Sequence, residues 1–399
     1  MRSSIFLKRV SLRNYKSIAS CDVRLSPLTY LVGANGSGKS NFLDALHLVR
    51  DALSGSLDNA MNERGGLSEV RRRSRGHPTH FGIRLEFELP TGEPGHYAFT
   101  VGAVPSGYEV QREECCIGGI GKGPFFELER GRIIKSSETA FPAVTADRLA
   151  LVSASGLSAF RPVYDALIAM GFYNLNPKVI RELQKPQDGR LLKPSGENIS
   201  SVIGHLARTN PTSKQVIEDY LHAVVPMVHG VERETVGPME SLSFKQDMAG
   251  DKNPWRFLAQ NMSDGTLRAL GILTALFQGN SDHSPSLIGI EEPETALHPA
   301  ASAALREALE RASERTQVIV TSHSPDLLDD MKIEPESLLV VAAEEGVTRI
   351  VPLGKGSREV MRQHLCSAGE LLRLNQLNPD PVSPDTPALK QAELFGEPR

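Results

Sequence analysis

The residue types able to do chemistry cluster in a few short stretches. Gly33-Ala34-Asn35-Gly36-Ser37-Gly38-Lys39-Ser40 fits the pattern G-x-x-x-x-G-K-[ST], with the apolar run Leu28 to Val32 before it and the amphipathic run Asn41 to Arg50 after it. Strand, glycine loop and helix are the setting that pattern needs. Glycines allow backbone dihedrals that a side chain forbids, so successive N–H groups can turn inward on a phosphate. The helix start adds the positive end of its dipole. Asn35, Gly36, Ser37, Gly38, Lys39, Ser40 and Asn41 therefore form the expected phosphate cradle, with Lys39 reaching β- and γ-phosphates and the Ser40 hydroxyl on Mg²⁺. The bland alternative is a flexible glycine turn.

Leu287 to Ile290 reads as a short strand that ends on Glu291-Glu292-Pro293-Glu294. Sites on parallel sheets open at the carboxyl ends of strands. Glu291 is assigned to Mg²⁺ and Glu292 to orienting or deprotonating an attacking water; an acidic surface turn is the rival. A further strand, Gln317 to Thr321, ends on Ser322-His323, and His323 there suits a γ-phosphate or the attacking water. Taken alone it would more often be a structural histidine. Ser263-Asp264-Gly265 opens a run with Leu267, Leu270, Thr274 and Phe277 on one face, which is a helix N-terminus with a glycine for close approach.

The elements that must position these residues follow from periodicity. Ile5 to Leu12 and Cys21 to Leu25 read as strands around Asn14-Tyr15-Lys16-Ser17. Phe81, Ile83, Leu85, Phe87 and Leu89 alternate with other residues, as do Tyr97, Phe99 and Val101, which predicts an antiparallel meander with one buried face. The arginine-rich segment Arg71, Arg72, Arg73 and Arg75 reads as a solvated loop, with contact to phosphates as the alternative. Short helical pieces punctuated by prolines follow, then a strand-rich return from Val231 to Asp247. The expected organisation is an N-terminal lobe over 1–136, a helical insertion over 137–230, a C-terminal lobe over 231–374 and a disordered tail over 375–399.

With 399 residues, 40 % hydrophobic and 23 % charged, the composition is that of an ordinary globular protein. No apolar run is long enough to span a membrane and the N-terminus lacks a signal-peptide core, so a cytoplasmic protein is expected. Cysteines 21, 115, 116 and 366 show no metal or disulfide spacing and are expected to be free thiols. A net charge of −4 argues against a generally basic surface but leaves room for a local patch.

In order and spacing these stretches, with Asn14 to Ser17, resemble the ATP-binding-cassette ATPases of the RecF and SMC type, in particular short ATPases related to the OLD family. The resemblance spans about residues 1 to 370, including Gly369 to Arg373. It makes Gly33 to Ser40 the Walker A motif, Ser263 to Gly265 the signature, Leu287 to Glu292 Walker B and His323 the switch histidine. It implies an α/β fold, an ABC-type P-loop ATPase head with an antiparallel β subdomain and a compact helical insertion. It further implies ATP and Mg²⁺, and a homodimer in which two heads sandwich two ATP molecules, Ser263 and Gly265 completing the partner's site. DNA is the expected substrate surface, in repair or anti-phage defence. Because the stretch after His323 is too short for the TOPRIM nuclease of OLD-type relatives, an effector protein in trans, such as a nuclease, is expected. The rivals are a nucleotide-gated protein scaffold without DNA contact and, more distantly, a transporter ATPase.

Three departures stand out. Glu291 replaces the usual aspartate and lengthens the arm by one methylene, so slower hydrolysis or a shifted loop is expected, because Mg²⁺ demands near-ideal geometry. The signature reads Ser-Asp-Gly rather than Ser-Gly-Gly, and no glutamine loop can be placed. No long coiled coil interrupts the head.

The proline-rich tail ends on Gln391-Ala392-Glu393-Leu394-Phe395-Gly396. This island resembles the Q-x-x-L-F peptide by which bacterial proteins dock on the sliding clamp, with Gln391, Leu394 and Phe395 as the anchors. The alternatives are docking on its own head or on the dimer partner, and an unrelated protein.

Overall fold

The structure is a computed structural model and describes residues 6–74, 78–105, 107–119, 122–248, 253–279, 284–379 and 391–396. Two compact units are formed, residues 1–170 with 334–366 and 374–399, and residues 171–333 with 367–373.

The first unit is built on a sheet whose strands run in the order Arg132–Ser136, Phe125–Glu129, Gly107–Ile117, Pro94–Val104, His80–Glu88, Phe6–Tyr15, Ile18–Arg24, Val347–Pro352, Leu338–Glu344 and Leu28–Val32. The pairing is antiparallel through the meander and through Phe6–Tyr15 with Ile18–Arg24, then parallel where Leu338–Glu344 meets Leu28–Val32. Alternation turns Phe81, Ile83, Leu85, Tyr97 and Phe99 into one core, where Tyr15 and Phe81 meet edge to face at 5.7 Å. The sequence predicts one buried face, but the opposite face is buried too: Arg84 is 3 % exposed and His96 and Thr100 are 0 % exposed. For Arg84 the cause is the tail. Gln391–Leu394 forms a 3₁₀ turn whose Leu394 is fully buried beside Gly82.

Where composition predicts an extended tail past Asn375, Gly354 N donates to Asn378 O at 2.9 Å and Leu353 bridges Pro379. Residues 380–390, with Pro381, Pro384 and Pro387, lie outside the described residues.

The second unit holds the parallel strands Gly171–Tyr173, Leu287–Glu291 and Gln317–Ser322, and a small antiparallel sheet of Val228–Val236, Met239–Gln246 and Trp255–Leu258. The helical pieces expected over 137–230 are shared out. Ala150–Ala154 and Arg161–Ile168 belong to the first unit, and Pro177–Arg181, Ile199–Thr209 and Pro211–Val224 to the second. Pro177 and Pro211 start helices rather than interrupt them, because the missing N–H costs nothing in the first turn. Asn176 and Asn210 cap those two starts through their side chains. All four cysteines are free thiols.

One buried acid has its charge in balance. Glu113 lies on the core face of the meander and accepts from Ala150 N at 2.6 Å, Leu151 N at 2.9 Å and the Tyr97 hydroxyl at 2.9 Å, thereby capping the helix Ala150–Ala154. Burial pushes the carboxyl up to about 7, against those three donors. A carboxyl raised on folding adds stability in full below its unfolded value of 4.5 and loses it as pH rises through about 7. Glu113→Gln keeps an acceptor but cannot ionise. Its melting temperature relative to the native chain should therefore rise between pH 5 and pH 8, by a stability difference of up to about 3 kcal/mol; a constant difference would contradict this origin.

Candidate functional site

In the first unit the strand Leu28–Val32 delivers the chain into the glycine loop, and the helix Lys39–Ser54 leaves it. Gly38 is the helix N-cap at φ 103 and, having no side chain, leaves the first turn without a side-chain cap of its own. Gly36 also takes a left-handed φ of 76. A Cβ on Gly33 would collide with the Val341 carbonyl, and one on Gly38 with the Thr348 hydroxyl. Lys39 is 4 % exposed, and its Nζ donates to Gly33 O at 2.9 Å and Ala34 O at 3.0 Å. The ammonium thus lies along the loop, on carbonyls it can exchange for phosphate oxygens. Ala34, Asn35, Gly36 and Ser40 are exposed, whereas the buried Ser37 Oγ has no partner among the described residues.

The loop is pinned from behind. Thr348 Oγ1 donates to Ser37 O at 2.7 Å and pairs with Ser17 Oγ at 2.7 Å, and Asn41 Nδ2 donates to Ser17 Oγ at 2.6 Å. Asn14 and Lys16 take left-handed φ values of 53 and 47, forming the turn that presents Ser17. Tyr15 and Lys16 reach Asp44 on the loop helix at 2.7 and 2.5 Å, and Arg64 joins from the other side at 2.9 Å. Burial alone would push Asp44 up, but Arg64, Lys16 and Tyr15 together hold it below the usual carboxylate range. Asn41, expected in the cradle, is therefore part of the brace in this arrangement.

In the second unit Glu291 closes its strand opposite Thr321, and Glu292 follows with φ 42, a left-handed conformation unusual for a glutamate. Two bonds hold it, from Glu292 N to Thr321 O at 3.0 Å and to Thr321 Oγ1 at 3.1 Å. Its carboxylate lies 3.4 Å from His323 Nδ1. Glu294 Oε1 accepts from Ser322 Oγ at 2.7 Å and His323 N at 3.3 Å, while its buried Oε2 has no partner among the described residues.

Ser263 caps the helix Asp264–Phe277 by accepting from Thr266 N at 3.2 Å. Gly265 sits against the loop after Glu294, where a Cβ would stand 2.6 Å from Ala296 O. Asp264 pairs with Arg181 and so faces sideways rather than forward. Arg268, one turn into the helix, donates to Leu175 O at 2.8 Å, Glu291 O at 3.2 Å and Glu292 O at 3.1 Å. Burial lowers its pKa, opposed by Glu294, Glu292 and Glu291. Its guanidinium fastens the signature helix to the Glu291-Glu292 turn.

Sequence reasoning missed Arg268, Arg181, Glu294 and Thr348. Arg268 could have been found as a charged residue in the otherwise apolar run Leu267 to Leu273, and Glu294 as the third carboxylate of the Glu291-Glu292-Pro293-Glu294 stretch; Thr348 has no local signal, since it lies 311 residues from Ser37. In the tail, Leu394 is buried and Phe395 half-buried on the first unit, and the Gln391 side chain lies outside the described atoms. Arg72 and Arg73 share a concavity of about 1440 Å³ with Arg349, Glu344 and Glu345, and Arg75 lies outside the described residues. Among the described residues no helix is long and apolar enough to cross a membrane.

Sheet, glycine loop, capped signature helix and the carboxylate pair on a parallel strand define a P-loop ATPase head of the ABC, SMC and RecF-like class. The chain belongs to the family described as "AAA domain, putative AbiEii toxin, Type IV TA system", whose profile matches residues 28–329. It is 48 % identical over 46 residues to the DNA replication and repair protein RecF of two Porphyromonas gingivalis strains, a match that spans 11 % of this chain and 13 % of RecF. In fold it is similar to the Smc head bound to the C-winged helix domain of ScpA, with TM-score 0.56, 16 % identity, and coverage of 88 % of this chain and 99 % of that one. The Smc head with an extended coiled coil, bound to the C-terminal domain of ScpA from Pyrococcus furiosus, gives TM-score 0.56 at 12 % identity, covering 90 % and 99 %.

Gly38 offers the most direct check on the cradle. Gly38→Ala both forces a side chain to φ 103 and drives its Cβ into Thr348. Binding of a fluorescent ATP analogue should weaken by about a hundredfold or more, from a combined cost of roughly 3 kcal/mol; unaltered affinity would show that the loop does not hold the nucleotide.

Proposed function

We propose that the protein hydrolyses ATP and that two copies close on ATP and open on its hydrolysis. The observation that carries this is Glu292, held at a left-handed φ with its carboxylate 3.4 Å from His323 Nδ1, at the carboxyl ends of adjacent parallel strands. A residue kept in a costly conformation by two hydrogen bonds and by Arg268 at the neighbouring carbonyls suits a general base that must not drift. In this reading Lys39 meets the β- and γ-phosphates, and Asn35 to Ser40 wrap them. The donors suit Mg²⁺, a hard ion that favours oxygen: the Ser40 hydroxyl and the Glu291 carboxylate would hold it, and it would offset charge on the phosphates. Glu292 orients and deprotonates the attacking water, and His323 donates to the γ-phosphate. Ser263 and Gly265 complete the site of the second copy, their helix N-terminus aimed at its γ-phosphate.

Two substitutions separate these roles. Lys39→Ala should abolish ATP-dependent dimerisation and turnover together. Glu292→Gln should cut turnover by about a hundredfold or more while dimers accumulate, as expected when a general base is lost and binding is kept. Light scattering with and without ATP, beside phosphate release, reads both, and wild-type turnover in Glu292→Gln would remove Glu292 from the chemistry.

For the biological role we propose a DNA-associated motor or sensor in the cytoplasm, acting in repair or anti-phage defence with an effector protein in trans, such as a nuclease. The RecF similarity supports repair, and the family description, which names a toxin–antitoxin system, supports defence. Gln391, Leu394 and Phe395 would dock a sliding clamp. A nucleotide-gated scaffold without DNA is the second reading, favoured by the net charge of −4. Salt discriminates the two. DNA affinity should fall steeply with ionic strength, and Arg72→Ala with Arg73→Ala should lower the log–log slope by about two if both meet phosphates. No salt-dependent binding at all would leave the scaffold.

A further inference from the structure

Beyond the nucleotide site, the outer face of the meander carries a row of charge that the ATPase reading does not use. Cross-strand register sets Gly82 beside Thr100 and Arg112, and Arg84 in line with Ala98 and Glu114, so their side chains share one face. Charged sheet faces ordinarily meet water. Here Arg84 is 3 % and Glu114 7 % exposed, because residues 391–396 lie over them.

Each contact reads a particular feature of that segment. Leu394 occupies the space that a side chain on Gly82 would fill, since a Cβ there would collide with Leu394 Cδ1. Arg84 forks across the main chain, Nη1 to Leu394 O at 2.9 Å and Nη2 to Gly396 O at 3.1 Å. Glu114 Oε1 accepts from Gly396 N at 3.0 Å, and the Arg112 guanidinium lies 4.3 Å from the centre of the Phe395 ring. Gly396 takes φ 94, which favours glycine at that position. An apolar hole, a bidentate grip on two carbonyls, a carboxylate on an N–H and a cation over a ring amount to a built peptide site.

We propose that this face is a receptor for a Leu-Phe-Gly segment, that the chain's own Leu394-Phe395-Gly396 occupies it reversibly, and that this docking hides the anchors from any partner protein. Reversibility follows from what stays behind. Arg84 Nε keeps Glu86 at 2.9 Å, and Glu114 keeps His96 at 2.5 Å and Arg112 at 3.5 Å, so departure of the segment strands no charge. Hold on the segment rests on one fully buried side chain and on hydrogen bonds that water can replace. The tether then supplies the effective concentration that keeps the site filled. A sliding clamp or any other protein that takes Leu394 and Phe395 must first win them from Arg84 and Gly82.

The test uses the full chain carrying Leu394→Ala and Phe395→Ala, which empties the receptor without touching it, and a fluorescent peptide with the native sequence of residues 388–399. The peptide should bind the doubly substituted chain saturably and the native chain at least about tenfold more weakly, because the native tail competes. Adding Arg84→Ala to the doubly substituted chain should remove peptide binding. Equal affinity for native and doubly substituted chains, or no binding to a doubly substituted chain whose circular dichroism and melting match the native one, overturns the proposal. Amide exchange on the unaltered chain checks it without any substitution. The Gly396 N–H should be protected and lose protection in excess peptide, and an unprotected Gly396 equally overturns the proposal. Neither readout involves nucleotide or a clamp, so failure here is separate from failure of the ATPase reading.

Discussion

A phosphate loop has to be rich in glycine to turn its N–H groups inward, and a glycine-rich loop by itself has no fixed shape. The Thr348 hydroxyl resolves that conflict in this protein. It bonds the Ser37 carbonyl and occupies the space above Gly38, so the loop gains a fixed wall where it lacks side chains of its own. Ser17 and Asn41 extend the same network to the first turn of the loop helix, and Asp44, shared by Tyr15, Lys16 and Arg64, ties that helix to the N-terminal strand pair. The Asn14 to Ser17 turn is thereby a brace for the nucleotide loop.

The second unit applies the same economy to its carboxylates. A left-handed glutamate is costly, and Glu292 is kept there by Thr321 on one side while Arg268 grips the Glu291 and Glu292 carbonyls on the other. Arg268 belongs to the helix that Ser263 caps, so one side chain bonds that helix directly to the Glu291-Glu292 turn. Gly265 against Ala296 adds a second point of contact with so little space that the two segments must move together. The Ser263 to Gly265 and Glu291-Glu292 stretches, read in the sequence as separate pieces, are in direct contact in this unit.

The sequence also states where it stops being sufficient. Period-2 alternation correctly puts Phe81, Ile83, Leu85, Tyr97 and Phe99 in a core, because that pattern is local and the pleat enforces it. The same alternation makes Gly82 and Arg84 look like a solvent face, and they are buried because a segment about 310 residues later in sequence covers them. The helix start at Ser263 was legible from capping chemistry, whereas the starts at Pro177 and Pro211, read as punctuation, and the division of residues 137–230 between two units were not, since short helices carry no mark of the sheet they pack on.

What the sequence determined by itself is the set of chemical groups and their local frames: the glycine loop between strand and helix, Glu291 and Glu292 at a strand end, His323 at another, and Ser263 at a helix start. These depend on spacing within one or two turns of chain, where backbone sterics and hydrogen-bond geometry leave few choices. Tertiary structure alone decided which groups hold those frames still. Thr348 behind the loop, Arg268 across two carbonyls, Asp264 turned aside onto Arg181, and Leu394 in the hole above Gly82 all come from residues distant in the chain. No periodicity records such meetings, because they are fixed by the closing of the fold and by the need of each buried polar atom for a partner.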